Sequence, residues 1–266
     1  MNPPPLPLNL HLHIEGRLAT VTLVRPQARN ALSRALMQAL TRTARELSDR
    51  ADVDAVILTG SKTCFSAGAD LKDAQSWADE ALSLVERREI AAIGYQMCRA
   101  WEAMPQITIA AIEGFAVGGG LALSLACDWR VVASDAFVSL PEIALGIPLT
   151  WGTIPRLVNL LGPAKAKRLT ILCERFGAAD ALAIGLIDHL AESGQALARA
   201  EALARKTLAM PSAVVRMSKE SVNAIATALN HATSYMAHDQ IALAAASAES
   251  RAARAAALPG GAARAG

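Results

Sequence analysis

Aromatic residues are scarce in this chain: Phe, Trp and Tyr together make up 4 % of its 266 residues. The core must therefore be packed from alanine and aliphatic side chains, in closely set helices and strands. Cysteine is rare as well. Cys64, Cys98, Cys127 and Cys173 form no C-x-x-C pair and no metal-ligand pattern with histidine, so free buried thiols in a reducing cytosol are expected and no metal or redox cofactor is implied. Excess charge is missing: a net charge of +2 gives no electrostatic case for nucleic acid, though a local cluster can still take an anionic small ligand. No apolar run is long enough to span a bilayer as a helix. The longest uncharged stretches, near Gly114–Cys127 and Ile143–Pro155, contain glycines and read as core or site. The start, Met-Asn-Pro-Pro-Pro, has neither a basic nor an apolar leader region, so no signal peptide and a cytoplasmic location are expected.

What is present is a globular composition, 53 % apolar and 19 % charged, on a chain long enough to bury a large core. Arg17–Val24 alternates as a half-buried strand. Ser33 is a fitting N-cap for a helix running to about Arg50. Ala55–Thr59, Ile107–Ile112 and Trp129–Ala133 read as buried strands. A helical pattern over Glu80–Met104 stops at Pro105, and Gly118–Gly120 open an apolar helix over Leu121–Cys127. Pro163–Cys173 and Ala178–Ile184 are helical. From Gly194 to about Ala256 the pattern is almost entirely helical, broken at Pro211. Strands alternating with helices and then helices only imply an α/β domain followed by a helical C-terminal part, with a solvated Ala/Arg/Gly tail.

Three loop segments carry the chemistry. Cys64–Leu71 follows a buried strand and is built of small residues, which suits either an ordinary tight loop or close approach of a ligand to the backbone. Gly114–Gly120 sits between a strand and a helix. Its glycines serve close packing, or they leave free N–H donors at the positive end of a helix for a developing negative charge. It is neither a dinucleotide fingerprint nor a phosphate loop. Ser139–Pro148 holds one carboxylate, Glu142, in apolar and proline-bounded surroundings. A raised pKa would suit a proton donor or acceptor there, and a solvent-facing glutamate fits the residues equally well.

Taken together these segments resemble the crotonase (enoyl-CoA hydratase/isomerase) superfamily. The resemblance is carried by Arg25-Pro26 with Asn30-Ala31-Leu32-Ser33, Phe65–Leu71, Ala111–Gly120, Cys127-Asp128, Pro141-Glu142 with Leu145-Gly146, and Gly185–Asp188, over roughly residues 10–230. It implies an α/β spiral of ββα turns over residues 1–190, a helical region at 191–256 for oligomerisation and active-site cover, and a flexible tail at 257–266. It also implies a CoA thioester substrate, no cofactor beyond that CoA, no nucleic-acid or membrane partner, and a homotrimer or hexamer. The thioester oxygen would be held by the N–H groups of Ala69 and Gly119. Ala67, Ala69, Asp70, Leu71 and Lys72 with Gly118 and Gly119 would line the acyl-CoA path, and Ala28 and Arg29 would lie near the CoA moiety.

One departure matters. Hydratases of this superfamily use two glutamates. Glu142 matches the second, but Ala122 stands at the first, and alanine can neither activate water nor donate a proton. A single carboxylate can still remove a proton at one carbon and return it at another, so double-bond isomerisation of an enoyl-CoA is the expected reaction. A hydratase with another acid, such as Glu113, and a catalytically weak acyl-CoA binder are the alternatives. Trp151, where relatives carry small residues, either shortens the acyl pocket or packs under a loop. His11, His13, His189, His231 and His238 all lie outside the three segments. Asp128 is expected to brace a turn, and Asp70 to fix its own loop.

Overall fold

A computed structural model of the chain describes residues 9–73, 81–228, 230, 234, 237 and 239–257. Its strands are β1 (Leu10–Glu15), β2 (Leu18–Leu23), β3 (Ala55–Thr59), β4 (Ile107–Ile112), β5 (Phe115–Val117), β6 (Trp129–Ala133), β7 (Phe137–Ser139), β8 (Phe176–Gly177) and β9 (His189–Ala191). Its helices are α1 (Arg34–Ser48), α2 (Leu84–Glu102), α3 (Gly119–Leu125), α4 (Thr153–Leu161), α5 (Pro163–Ile171), α6 (Ala178–Ile184), α7 (Ala196–Leu208), α8 (Ser212–Ala226), α9 (Asp239–Ala246) and α10 (Ala248–Ala257). No helix among the described residues is long and apolar enough to cross a membrane.

A six-stranded sheet in the order β1-β2-β3-β4-β6-β9 forms the frame. β1 and β2 are an antiparallel hairpin turning at Gly16, and every later pairing in this sheet is parallel. β3 and β4 are buried along their whole length, and the strand pleat divides their side chains between two cores. Val56, Leu58, Ala110 and Ile112 face the main core with α1 and α2. Ala55, Ile57, Ile109 and Ala111 face a second core closed by Ala196, Ala200 and Ala204. Those three alanines recur every four residues, so one face of α7 is nearly flat and sits close on the sheet. A second sheet pairs β5 with β7 in parallel and β7 with β8 antiparallel.

The expected helices stand, with their ends adjusted. Ser33 caps α1 by accepting from the Leu36 N–H. α2 begins at Leu84 behind a Ser83/Glu86 capping box, and the Glu80 where a start was expected lies outside the described residues. The expectation of helices only beyond Ala133 is overturned by β7, β8 and β9; α4, β1 and β5 were also not anticipated. Strands of two or three residues carry too little period to register in a sequence. α4 starts behind the left-handed Gly152 and contains Pro155 within its first turn, where the missing N–H costs nothing. The tail beyond Ala257 lies outside the described residues. Of the four thiols, Cys64, Cys98 and Cys127 are buried and free, and Cys173 is only half-buried. Asp128 braces its turn as expected, accepting from the Thr108 N–H at 2.7 Å and from the buried Lys219 ammonium at 2.6 Å.

Candidate active site

The site is assembled from three loops fixed by buried polar side chains. Arg29 and Asn30 both adopt positive φ, which places the buried Asn30 amide against the 64–69 loop. Its Nδ2 donates to the Cys64 and Phe65 carbonyls, and its Oδ1 accepts from the Arg25 N–H at 2.8 Å. Ser66 donates to the Asn30 carbonyl at 2.8 Å and accepts from the Gly68 N–H at 3.1 Å. Leu32 then bridges the loop from one side: its N–H donates to the Gly68 carbonyl and its carbonyl accepts from the Asp70 N–H. This alternation turns the intervening Ala69 N–H to the other side, towards the cavity.

The second loop leads from β5 into α3. Gly118 has φ 54° and ψ −122°, a conformation only glycine takes without strain. Gly119 is the first residue of α3, so its N–H has no intrahelical acceptor. Among the described residues, no protein acceptor takes the N–H of Ala69 or of Gly119. The two amides are close: a Cβ placed on Gly119 would lie 3.2 Å from the Ala69 nitrogen, and one on Gly68 would lie 3.1 Å from the Gly119 nitrogen. A side chain at either glycine would crowd the pair.

The third loop brings Glu142 to the same place. A Cβ on Gly118 would meet Glu142 Oε1 at 2.6 Å, so the carboxyl group rests against the turn that precedes Gly119. Glu142 Oε2 is buried and, among the described residues, has no hydrogen-bond partner. Burial pushes this carboxyl up to about 7, because the apolar lining cannot solvate its charge.

These groups line a cavity of about 110 Å³. Ala67, Ala69, Leu71, Gly118, Gly119, Glu142 and Trp151 all reach it. Asp70 does not: it faces a smaller neighbouring cavity and holds its loop through Arg25 Nη1 at 2.6 Å and the Lys72 N–H at 3.1 Å. Ala28, Arg29 and Lys72 are outside the cavity lining; Arg29 supports it indirectly, its carbonyl accepting from the Ala67 N–H. Sequence reasoning missed Ile147, Leu149, Thr153 and, from α9, Ile241. Ile241 carries no local signal, since its place in the wall depends on the packing of a helix almost a hundred residues after Trp151.

Ala122 lies in the lining and is 2 % exposed. Among the described residues of that lining, Glu142 is the only one with an ionisable side chain. Glu113, weighed as a second acid, is committed elsewhere. Its carboxylate accepts the N–H groups of Gly194 at 3.0 Å and Ala196 at 2.7 Å and so caps the start of α7. His11, His13 and His189 belong to β1 and β9, away from the lining, and His231 and His238 lie outside the described residues.

The fold and this site define the class, an enzyme with a small, apolar, single-carboxylate pocket at the mouths of parallel strands. Comparison with known proteins gives the family. The model of the enoyl-CoA hydratase/isomerase family matches residues 13–256. A crotonyl-CoA hydratase of Syntrophomonas wolfei is 36 % identical over 216 residues, covering 81 % of each chain. A short-chain-enoyl-CoA hydratase of Clostridium acetobutylicum is 33 % identical over 216 residues, again 81 % of each. The crystal structure of an enoyl-CoA hydratase/isomerase from Mycobacterium paratuberculosis superposes with a TM-score of 0.86 at 24 % identity, over 94 % of this chain and 98 % of that one, a likeness of fold. The chain belongs to the enoyl-CoA hydratase/isomerase family of the crotonase superfamily and is an acyl-CoA-processing enzyme.

Proposed function

We propose that this enzyme moves a double bond between the 3- and 2-positions of an enoyl-CoA, with Glu142 as the proton shuttle. The observation that carries the reading is the lone carboxylate: Ala122 stands where a second acid would be needed, and nothing else ionisable lines the cavity among the described residues. Glu142 removes a proton from C2 of the 3-enoyl thioester. The C2–H electron pair forms a C1=C2 double bond while the carbonyl pair moves onto the thioester oxygen, giving a dienolate conjugated with C3=C4. The same proton then returns at C4, the carbonyl re-forms and the double bond is left at C2=C3. The Ala69 and Gly119 N–H groups hold the oxygen as it gains charge, so they favour the dienolate over the substrate. A carboxyl group titrating near 7 suits both halves of the transfer at neutral pH.

Hydration is the second reading, and the names of the two hydratase relatives favour it. It requires water to be activated and a proton delivered by Glu142 without a second carboxylate. Incubation with a 3-enoyl-CoA and, separately, a 2-enoyl-CoA separates the two. Conversion of the 3-enoyl to the 2-enoyl ester without change of mass is expected. Gain of one water by the 2-enoyl ester, with no double-bond shift, would overturn the isomerase reading.

The same reading includes assembly as a homotrimer or a dimer of trimers. The outer face of α8 supports it, with Met217, Val222 and Ile225 exposed, the last at 82 %. Sedimentation velocity should give a species of three or six chains; a monomer at micromolar concentration would count against it.

A further inference from the structure

We propose that the Trp151 indole is a partition that confines this enzyme to short acyl groups by separating the Glu142 cavity from a second chamber against α2. The proposal rests on the reading of the Glu142 cavity as the acyl site, and it names the substrate class that the site takes.

Trp151 has φ 57°, and Gly152 follows at φ 70°. Two left-handed residues in succession, one of them a bulky aromatic, persist only where the surroundings hold them. Arg156 Nη1 donates to the Trp151 carbonyl at 2.7 Å, and Arg156 is itself gripped by Glu102 at 2.8 and 2.9 Å. The backbone is thus pinned from α2 and α4. The ring is seated between two glycines. A Cβ on Gly94 of α2 would fall 1.9 Å from the indole Cε2, and a Cβ on Gly119 would fall 2.3 Å from Cζ3. No side chain fits at either position while the ring is there.

Two cavities meet at this ring. Trp151, Ala69 and Ile241 line both the Glu142 cavity, about 110 Å³, and a second one of about 40 Å³. The second has an apolar floor of Leu32, Met37, Ile90 and Ala91, with Arg34, Asp70 and Asp73 at its polar side. An acyl group whose carbonyl sits at the Ala69 and Gly119 amides has the indole edge beside it, because the ring lies against Gly119. A short chain stays on the near side. A longer one needs the far chamber, which the indole closes off.

Equilibrium binding of butyryl-, octanoyl- and dodecanoyl-CoA to the full chain, by titration calorimetry, tests this directly. Saturated esters need no turnover, so the result does not depend on whether the reaction is isomerisation or hydration. The wild-type protein is expected to bind butyryl-CoA about tenfold or more tightly than octanoyl-CoA, the scale on which a pocket discriminates chain length. Trp151→Gly suits the backbone, since glycine is at ease at positive φ, and should shift the octanoyl-to-butyryl preference by about tenfold or more towards the longer ester. Trp151→Leu, which keeps an apolar side chain, serves where the glycine variant fails to fold. Octanoyl-CoA binding as tightly as butyryl-CoA in the wild type, or an unchanged ratio in the variants, would overturn the proposal. Isomerisation of short 3-enoyl esters in the same preparation would then leave the proposed function standing.

Discussion

Glu142→Gln is expected to lower turnover of a 3-enoyl-CoA by about 10²–10⁴, the usual contribution of a positioned general base, while leaving the chain folded. The amide matches the carboxyl in size but cannot take a proton from carbon. In the wild type the base form accumulates as pH rises through about 7, so kcat/KM should climb with pH and level off about one unit higher. Stability should run the other way. The contribution of the protonated carboxyl is fully present below the ordinary value of 4.5 and is lost as pH rises through about 7. Beyond that the folded protein carries a buried charge at a cost on the order of 3 kcal/mol. Glutamine avoids the cost, so the variant should melt above the wild type at about pH 8 and lose that advantage near pH 4. Thermal melts at the two pH values, beside initial rates, check both halves. Undiminished turnover would remove Glu142 from the reaction, and equal melting differences at both pH values would deny the buried charge.

Gly118→Ala should be nearly as damaging, although it adds one methyl group. The conformation at φ 54° and ψ −122° excludes a Cβ on backbone grounds. The methyl would also lie 2.6 Å from Glu142 Oε1. Either the turn reorients or the carboxyl group withdraws, and the turn is what aims the Gly119 N–H. Losing one such donor typically costs on the order of 10²–10³ in rate, with about 1–3 kcal/mol of stability lost to strain. Steady-state kinetics should show the loss in kcat rather than KM, because the donor acts on charge that develops during the reaction. A variant that keeps its kcat while losing stability would mean that the Gly119 amide does not hold the oxyanion.

The buried strands were legible because β3 and β4 are short runs of aliphatic residues with a single threonine each, Thr59 and Thr108, followed by Gly60 and by Glu113-Gly114. The three loops were legible because small residues, a triple glycine and an isolated glutamate are each unusual, and their order resembles one superfamily. The hairpin strand β1 was readable too: Leu10, Leu12 and Ile14 alternate with His11, His13 and Glu15, and its burial alternates likewise. Other features lay beyond any local pattern. Glu113 shows its helix-capping role only when Gly194 and Ala196 are brought beside it. Asp70 was expected both to line the acyl path and to fix its own loop; it accepts from the Lys72 N–H as the second expectation has it, while its contact with Arg25, forty-five positions earlier, had no local signal. The seat of the Trp151 ring against Gly94 was not legible, because a missing side chain on α2 is silent in the sequence.

Ile241 closes the Glu142 cavity from α9, close to the end of the described chain. On the ribosome, at about 5–20 residues per second, the sheet and all three site loops emerge several seconds before it. During that interval the cavity stands open along one wall. Water reaches the Glu142 carboxyl, the penalty on its charge falls, and its pKa lies nearer that of an ordinary glutamate. The emerging chain therefore holds Glu142 before its carboxyl has the raised pKa that burial gives it, and α9, made after the sheet, tunes the cavity as well as covers it.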